Sequence, residues 1–238
     1  MPRFDSSQTL SNQQSSAIQG FMTHVYAWMC GGLAITAIVA FWLAQNPQLV
    51  AAMLGSTGGI LVLVVLQLGL VFVLSGMAHK LSAPAATAMF VVYCAVTGIT
   101  FSSIFLVYTM SSIASVFAIS AGMFGAMSIY GMTTKKDLSS WGSFLFMGLI
   151  GVVIASLVNI WLRSEALMWA VSFIGVIVFT GLTAYDTQKI KELAIAGETS
   201  ANNVGISRHN ATIVGALTLY LDFINLFIML LRIFGDRR

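Results

Sequence analysis

Apolar residues gather along this chain in long stretches, each close to the ~20 residues that a helix needs to cross the hydrocarbon layer of a bilayer. The stretches fall at about 21–44, 50–77, 84–108, 111–132, 141–162, 167–188 and 211–234. Turn-type residues fill the breaks between them: "AQNPQ", "AHKLSAP", "YTMSS", "TTKKDLSS" and "LRSEA". The pattern predicts an all-α integral membrane protein, a bundle of seven transmembrane helices. Residues 1–20 read as a polar cytoplasmic N-terminal segment, 21–234 as one transmembrane helical bundle, and 235–238 as a short basic tail. The longest interruption, about 189–210, reads as a polar cytoplasmic loop with one helical turn near its start. There is no internal repeat, and no room for a separate soluble domain.

Composition agrees. Charged residues make up 8% of the 238 and hydrophobic residues 58%, whereas an ordinary soluble domain is about a quarter charged. The N-terminus has no basic stretch leading into a short apolar run, so the first run is expected to be a retained span and not a cleaved signal. Cys30 and Cys94 both fall inside apolar runs and read as small buried hydrophobes, neither a disulfide nor a metal site. His24, His79 and His209 are scattered, without ligand spacing. The net charge of +3 reflects basic loops and calls for no nucleic-acid partner.

Those basic residues also orient the bundle. With the N-terminus inside, the inside loops hold Lys80, Lys135, Lys136, Lys189, Lys191 and Arg208, and the outside loops only Arg163. The tail opposes this: Arg232, Arg237 and Arg238 would follow a seventh full span and lie outside, unless the last segment re-enters. Early loops dominate orientation, so seven spans are expected. "AISAGMFGAMSIYG" and "MGLIGVVIASLVN" carry Gly and Ala at three- and four-residue spacing, a pattern for close helix packing. The Asn210 sequon falls in a cytoplasmic loop and carries no meaning there.

Two acids stand out. On a helical wheel of the last run, Thr218, Asp222, Asn225 and Arg232 lie within about 80° of one another, while the rest of the surface is apolar. An intramembrane acid costs ~2.5–3.5 kcal/mol on insertion scales and belongs on a face turned to the bundle interior. In the sixth run, Asp186 shares a face with Ser172, Gly175 and Thr183 near the cytoplasmic end. The two carboxyl groups can meet in the inner half of the membrane if the helix ends are staggered. Two carboxylates in a poorly hydrated place cannot both ionise cheaply, so they would share a proton. Deprotonated, the same oxygens repel one another or attract a hard cation such as calcium. Each acid alone could instead simply bond a neighbouring hydroxyl or cap a helix end. Gln67, Ser156 and Asn159 read mainly as hydrogen-bonding glue between helices.

"AYDTQKI" and "LTLYLDFINLFIMLLRIFG", with the central "MFGAMSIYGMTTKKDLSSWGSFLFMGLIG", resemble the signature regions of the Bax inhibitor-1 family, its bacterial inner-membrane branch in particular. The resemblance runs from about residue 20 to the end. It implies a seven-helix bundle with a central hydrophobic seventh helix, and a pair of aspartates that senses pH for a calcium leak across the membrane. Those aspartates carry over onto Asp186 and Asp222, with Thr183, Thr218, Asn225 and Arg232 as a supporting polar stripe. An acid and an arginine that some members carry in and below the second span are replaced here by Gln67 and by Ala78-His79-Lys80. Any basic latch would therefore fall to Lys80 or His79.

The leading expectation is a pH-sensitive calcium leak channel of the bacterial inner membrane, multi-pass, with a cytoplasmic N-terminus. Asp186 and Asp222 would be both gate and candidate calcium ligands. No cofactor is expected; calcium enters only as the transported ion, and the partners are the bilayer and calcium. The alternative is a non-conducting regulator that binds membrane proteases or other integral proteins. An intramembrane aspartyl protease also pairs a "YD" with a second aspartate, but "LYLD" lacks the Gly-x-Gly-Asp of that class, so no enzymatic activity is expected. A coupled transporter lacks the expected internal symmetry.

Overall fold

The computed structural model describes residues 6–199 and 207–238, with side chains at 15–195 and 207–238. Eight helices follow one another: α1 (Ser6–Ala44), α2 (Pro47–Leu54), α3 (Thr57–Gly76), α4 (Ala83–Val107), α5 (Met110–Thr133), α6 (Ser139–Leu162), α7 (Glu165–Thr199) and α8 (Arg208–Phe234). All but α2 are long and apolar enough to cross a membrane, which gives seven spans.

Three element boundaries differ from the sequence reading, the first being the start of α1 at Ser6, inside the segment read as polar and preceding the first run. The second apolar run is broken at Gly55-Ser56 into α2 and α3. Ser56 takes an extended backbone and its hydroxyl accepts the Gly59 N–H, so it caps a new helix inside an unbroken apolar stretch. The predicted loop at 189–210 is helical as far as Thr199, because "KIKELAIAGE" is made of strong helix formers that prolong the sixth span beyond its apolar part. The remainder, 200–206, lies outside the described residues.

Helix α8, the seventh span, is the axis of the bundle. Of its most apolar window 72% is buried, against 39% at most for any other span. It packs on α1, α4, α5 and α7, while α3 and α6 stand at the periphery. Peripheral apolar side chains such as Phe72 and Trp161 are exposed and suited to face lipid.

Both ends of α8 are pinned. At its start Ser207 caps the helix, and the Asn210 amide donates to Ala78 O (2.9 Å) and Leu81 O (2.7 Å) of the α3–α4 loop. At its end the tail lies along the α4–α5 turn: Arg238 N donates to Val107 O (2.9 Å), Thr109 N to Asp236 O (3.1 Å), and Asp236 N to Ser112 Oγ (2.9 Å). Helix α4, of 25 residues, separates these two loops, and 25 residues of helix rise about 37 Å. The last helix therefore crosses fully and does not re-enter.

Small residues set the approach of α5 and α6 to α7. A Cβ on Gly131 would meet Ala184 O, and one on Gly142 would meet the Tyr185 ring at 2.5 Å. Not every small residue in these stretches is used this way: Gly122, Gly125 and Gly151 have open space at the same position. Cys94 is buried and Cys30 exposed, so only Cys94 matches the reading of both as buried hydrophobes; both are free thiols.

Candidate functional site

Asp222 sits midway along α8, 5% exposed, between Leu219 and Tyr220 on one side and Phe223 on the other, all buried. Its Oδ2 is fully enclosed and receives no N–H or O–H from any described residue. Across the α7–α8 interface the Asp186 carboxyl lies close enough to that of Asp222 for the two side chains to share a hydrogen bond. Asp186 itself is only half-buried. The stagger needed for this meeting comes from α7, which continues well past the membrane-spanning length.

The chemistry of such a pair is restricted. Carboxylate oxygens accept but do not donate, so the facing oxygens are satisfied only when a proton or a cation lies between them. Asp222 is the sealed member and Asp186 the partly exposed one.

The rest of the predicted stripe does not converge on the pair. Thr183 is fully buried, with its hydroxyl donating to Phe179 O of its own helix. The Thr218 hydroxyl donates to Val214 O, and the Asn225 amide to Leu221 O, one turn back in each case. Arg232 lies exposed in the last turn of α8. The wheel placed these residues on a common face, but local bonds to the preceding turn absorb their polarity. His79 and Lys80 are exposed in the α3–α4 loop, and the basic residue one helical turn from Asp186 on the same helix is Lys189.

Around the pair, side-chain hydrogen bonds sort into two sets. In the first, the Tyr220 hydroxyl bonds Thr36 Oγ1 at 2.7 Å, and Thr36 donates onward to Cys94 O at 2.9 Å. His209 bonds Thr87 at 2.8 Å, and the Gln67 amide reaches Thr97 and Thr100. These contacts join α8 to α1, α3 and α4. In the second set, Gln188 donates to Lys136 O and accepts from Leu138 N, both at 2.9 Å, and the Lys191 ammonium donates to Met132 O at 2.7 Å. With Ser128 bonded to Thr187 at 3.4 Å, they join α7 to α5 and to the α5–α6 loop. Among the described side chains, the aspartate pair is the polar contact between α7 and α8, at the seam of these two half-bundles.

Gln188 and the Thr36–Tyr220 contact were not singled out from the sequence. The wheel does place Tyr220 about 200° from Asp222, a signal that α8 has a second polar side. Asn159 serves the α6–α7 turn, its Oδ1 accepting the Ser164 N–H at 3.0 Å, and lines no path.

The family profile described as "Inhibitor of apoptosis-promoting Bax1" matches residues 18–238. The chain is 56% identical to the inner membrane protein YbhL of Escherichia coli, over the full length of both. It is 44% identical to a protein of Borreliella burgdorferi over 92% of each chain. To a membrane protein of Streptococcus pyogenes it is 37% identical over 94% of this chain and 95% of the other. A seven-span bundle around a central last helix, with a family match over nearly its whole length, makes this chain a multi-pass inner-membrane protein of the Bax inhibitor-1 family.

Proposed function

We propose that the protein is a pH-sensitive cation leak, with calcium as the transported ion, gated by the proton shared between Asp186 and Asp222. The observation that carries this reading is the enclosed Asp222 oxygen, which no donor among the described residues satisfies, on a carboxyl that lies beside the half-buried Asp186 at the α7–α8 interface. With a proton between them, the acids tie α7 to α8 and the seam stays shut. Without it they repel in a poorly hydrated place, and among the described side chains no other polar contact joins α7 to α8. Separation would let water and a cation reach oxygens that are hard-ion ligands by nature.

The distribution of basic loop residues supports an N-terminus in the cytoplasm, with the Asp186 end of α7 on the same side. No covalent chemistry is assigned to the aspartates. Leu219, Tyr220 and Phe223 are buried around Asp222, which supports that reading.

Reconstitution in liposomes loaded with a calcium dye tests the proposal. Wild type is expected to leak calcium faster as pH rises, and Asp222→Asn to lose that dependence. Equal leaks from the two proteins at every pH would overturn it.

A further inference from the structure

Lys189 follows Asp186 by three residues on α7, so the two side chains leave neighbouring faces of one turn. Its ammonium lies 5.7 Å from the centroid of the Tyr185 ring. That ring is seated against Gly142, where even a Cβ would collide with it at 2.5 Å. The other basic groups nearby are placed differently: Lys191 is bonded to Met132 O, and Lys135 and Lys136 sit exposed on the α5–α6 loop beside Asp137. Lys189 is exposed, one helical turn from Asp186 on the same helix. Asp186 in turn is the partly exposed member of a pair whose inner member holds an oxygen without a donor among the described residues.

We propose that Lys189 is a tethered counter-cation of the aspartate pair, parked on Tyr185 and displaced from the mouth of the site by an incoming divalent ion. This deepens the leak reading by naming the residue that sets cation preference. A cation resting on an aromatic face at an exposed site is held by only about 0.5–1 kcal/mol, so the ammonium moves between ring and carboxylate at little cost. A lysine ammonium is a compact point charge on a flexible stem, suited to standing in for a metal ion at a carboxylate. A doubly charged ion outcompetes it at two carboxylates, whereas a singly charged ion gains no such advantage. Lys189 would thus lower the affinity for every cation, and for a doubly charged ion more than for a singly charged one.

Equilibrium binding of Mn²⁺ to the detergent-purified full-length protein, read by electron paramagnetic resonance at about pH 8 where ordinary carboxyl groups are ionised, tests this without any flux measurement. Lys189→Gln is expected to bind Mn²⁺ about 3–10-fold more tightly than wild type, from loss of a neighbouring positive charge at the surface dielectric. Lys189→Arg keeps the charge and is expected to match wild type. Adding Asp186→Asn to Lys189→Gln should abolish the gain. Equal affinities in wild type and Lys189→Gln, no binding to either, or tight binding that survives Asp186→Asn would each overturn the assignment. If the affinity order holds while no variant leaks calcium in liposomes, the leak reading fails and the counter-cation role stands.

Discussion

The Asp222 carboxyl meets that of Asp186 across the α7–α8 interface, and the Asp222 oxygen sealed within the bundle has no donor among the described residues to satisfy it. A neutral amide at 222 can donate to Asp186 without any proton between the acids. Asp222→Asn is therefore expected to melt higher than wild type in detergent at alkaline pH and to differ little at acidic pH. Each 1 kcal/mol of relieved repulsion corresponds to about 2–4 °C for a domain of this size. Thermal unfolding of both proteins across the pH range checks this, and parallel curves would contradict it.

On the opposite side of α8, the Thr36 hydroxyl donates to Cys94 O and so accepts from the Tyr220 hydroxyl. Thr36→Val and Tyr220→Phe each remove one end of a buried bond, at an expected cost of about 1–2 kcal/mol. The double variant should cost less than the sum, with a coupling near the ~0.6 kcal/mol typical of hydrogen bonds between membrane helices. A double-mutant cycle on unfolding in mixed micelles reads this coupling directly.

Gly131→Ala puts a methyl group against the Ala184 carbonyl oxygen, whereas Gly125→Ala places it in open space. Overpacking costs about 1–3 kcal/mol, so the first variant is expected to lose several degrees of melting temperature and the second almost none. The contrast separates close packing from a general dislike of substitution at glycine in these helices.

Asp137, outside the spans in the α5–α6 loop, has its carboxyl held below the usual carboxylate range by Ser139, through the side chain first and then the backbone N–H at 2.8 Å. A depressed folded value means that its contribution to stability is present above the unfolded value, near 3.9, and is lost as pH falls through the folded one. Carboxyl NMR of the protein labelled at aspartate should show Asp137 titrating below a model peptide. Asp137→Asn should remove that part of the acid sensitivity, together with the contribution that the carboxylate makes at neutral pH.

How much of this was legible in the chain depends on which force decides each feature. Apolar length alone determined the seven spans, because backbone polar groups in hydrocarbon must be satisfied within a helix. The cost of burying a charge pointed to Asp186 and Asp222, since an acid amid "LYLDFINLF" has few places to go. The break at Gly55-Ser56 and the extension of α7 to Thr199 were hidden, as one rests on a single capping hydroxyl and the other on helix formers read as a loop. The polar stripe was a fair wheel projection that misled, because Thr183, Thr218 and Asn225 turn to carbonyls of their own helix. A wheel gives the direction in which a side chain leaves the axis, not its bonds. The clamp of Gln188 on the α5–α6 loop, the Thr36–Tyr220 bond and the division into two half-bundles belong to the tertiary structure alone. They join residues 50 to 184 positions apart, and only the packing of whole helices against α8 decides which of them come into reach.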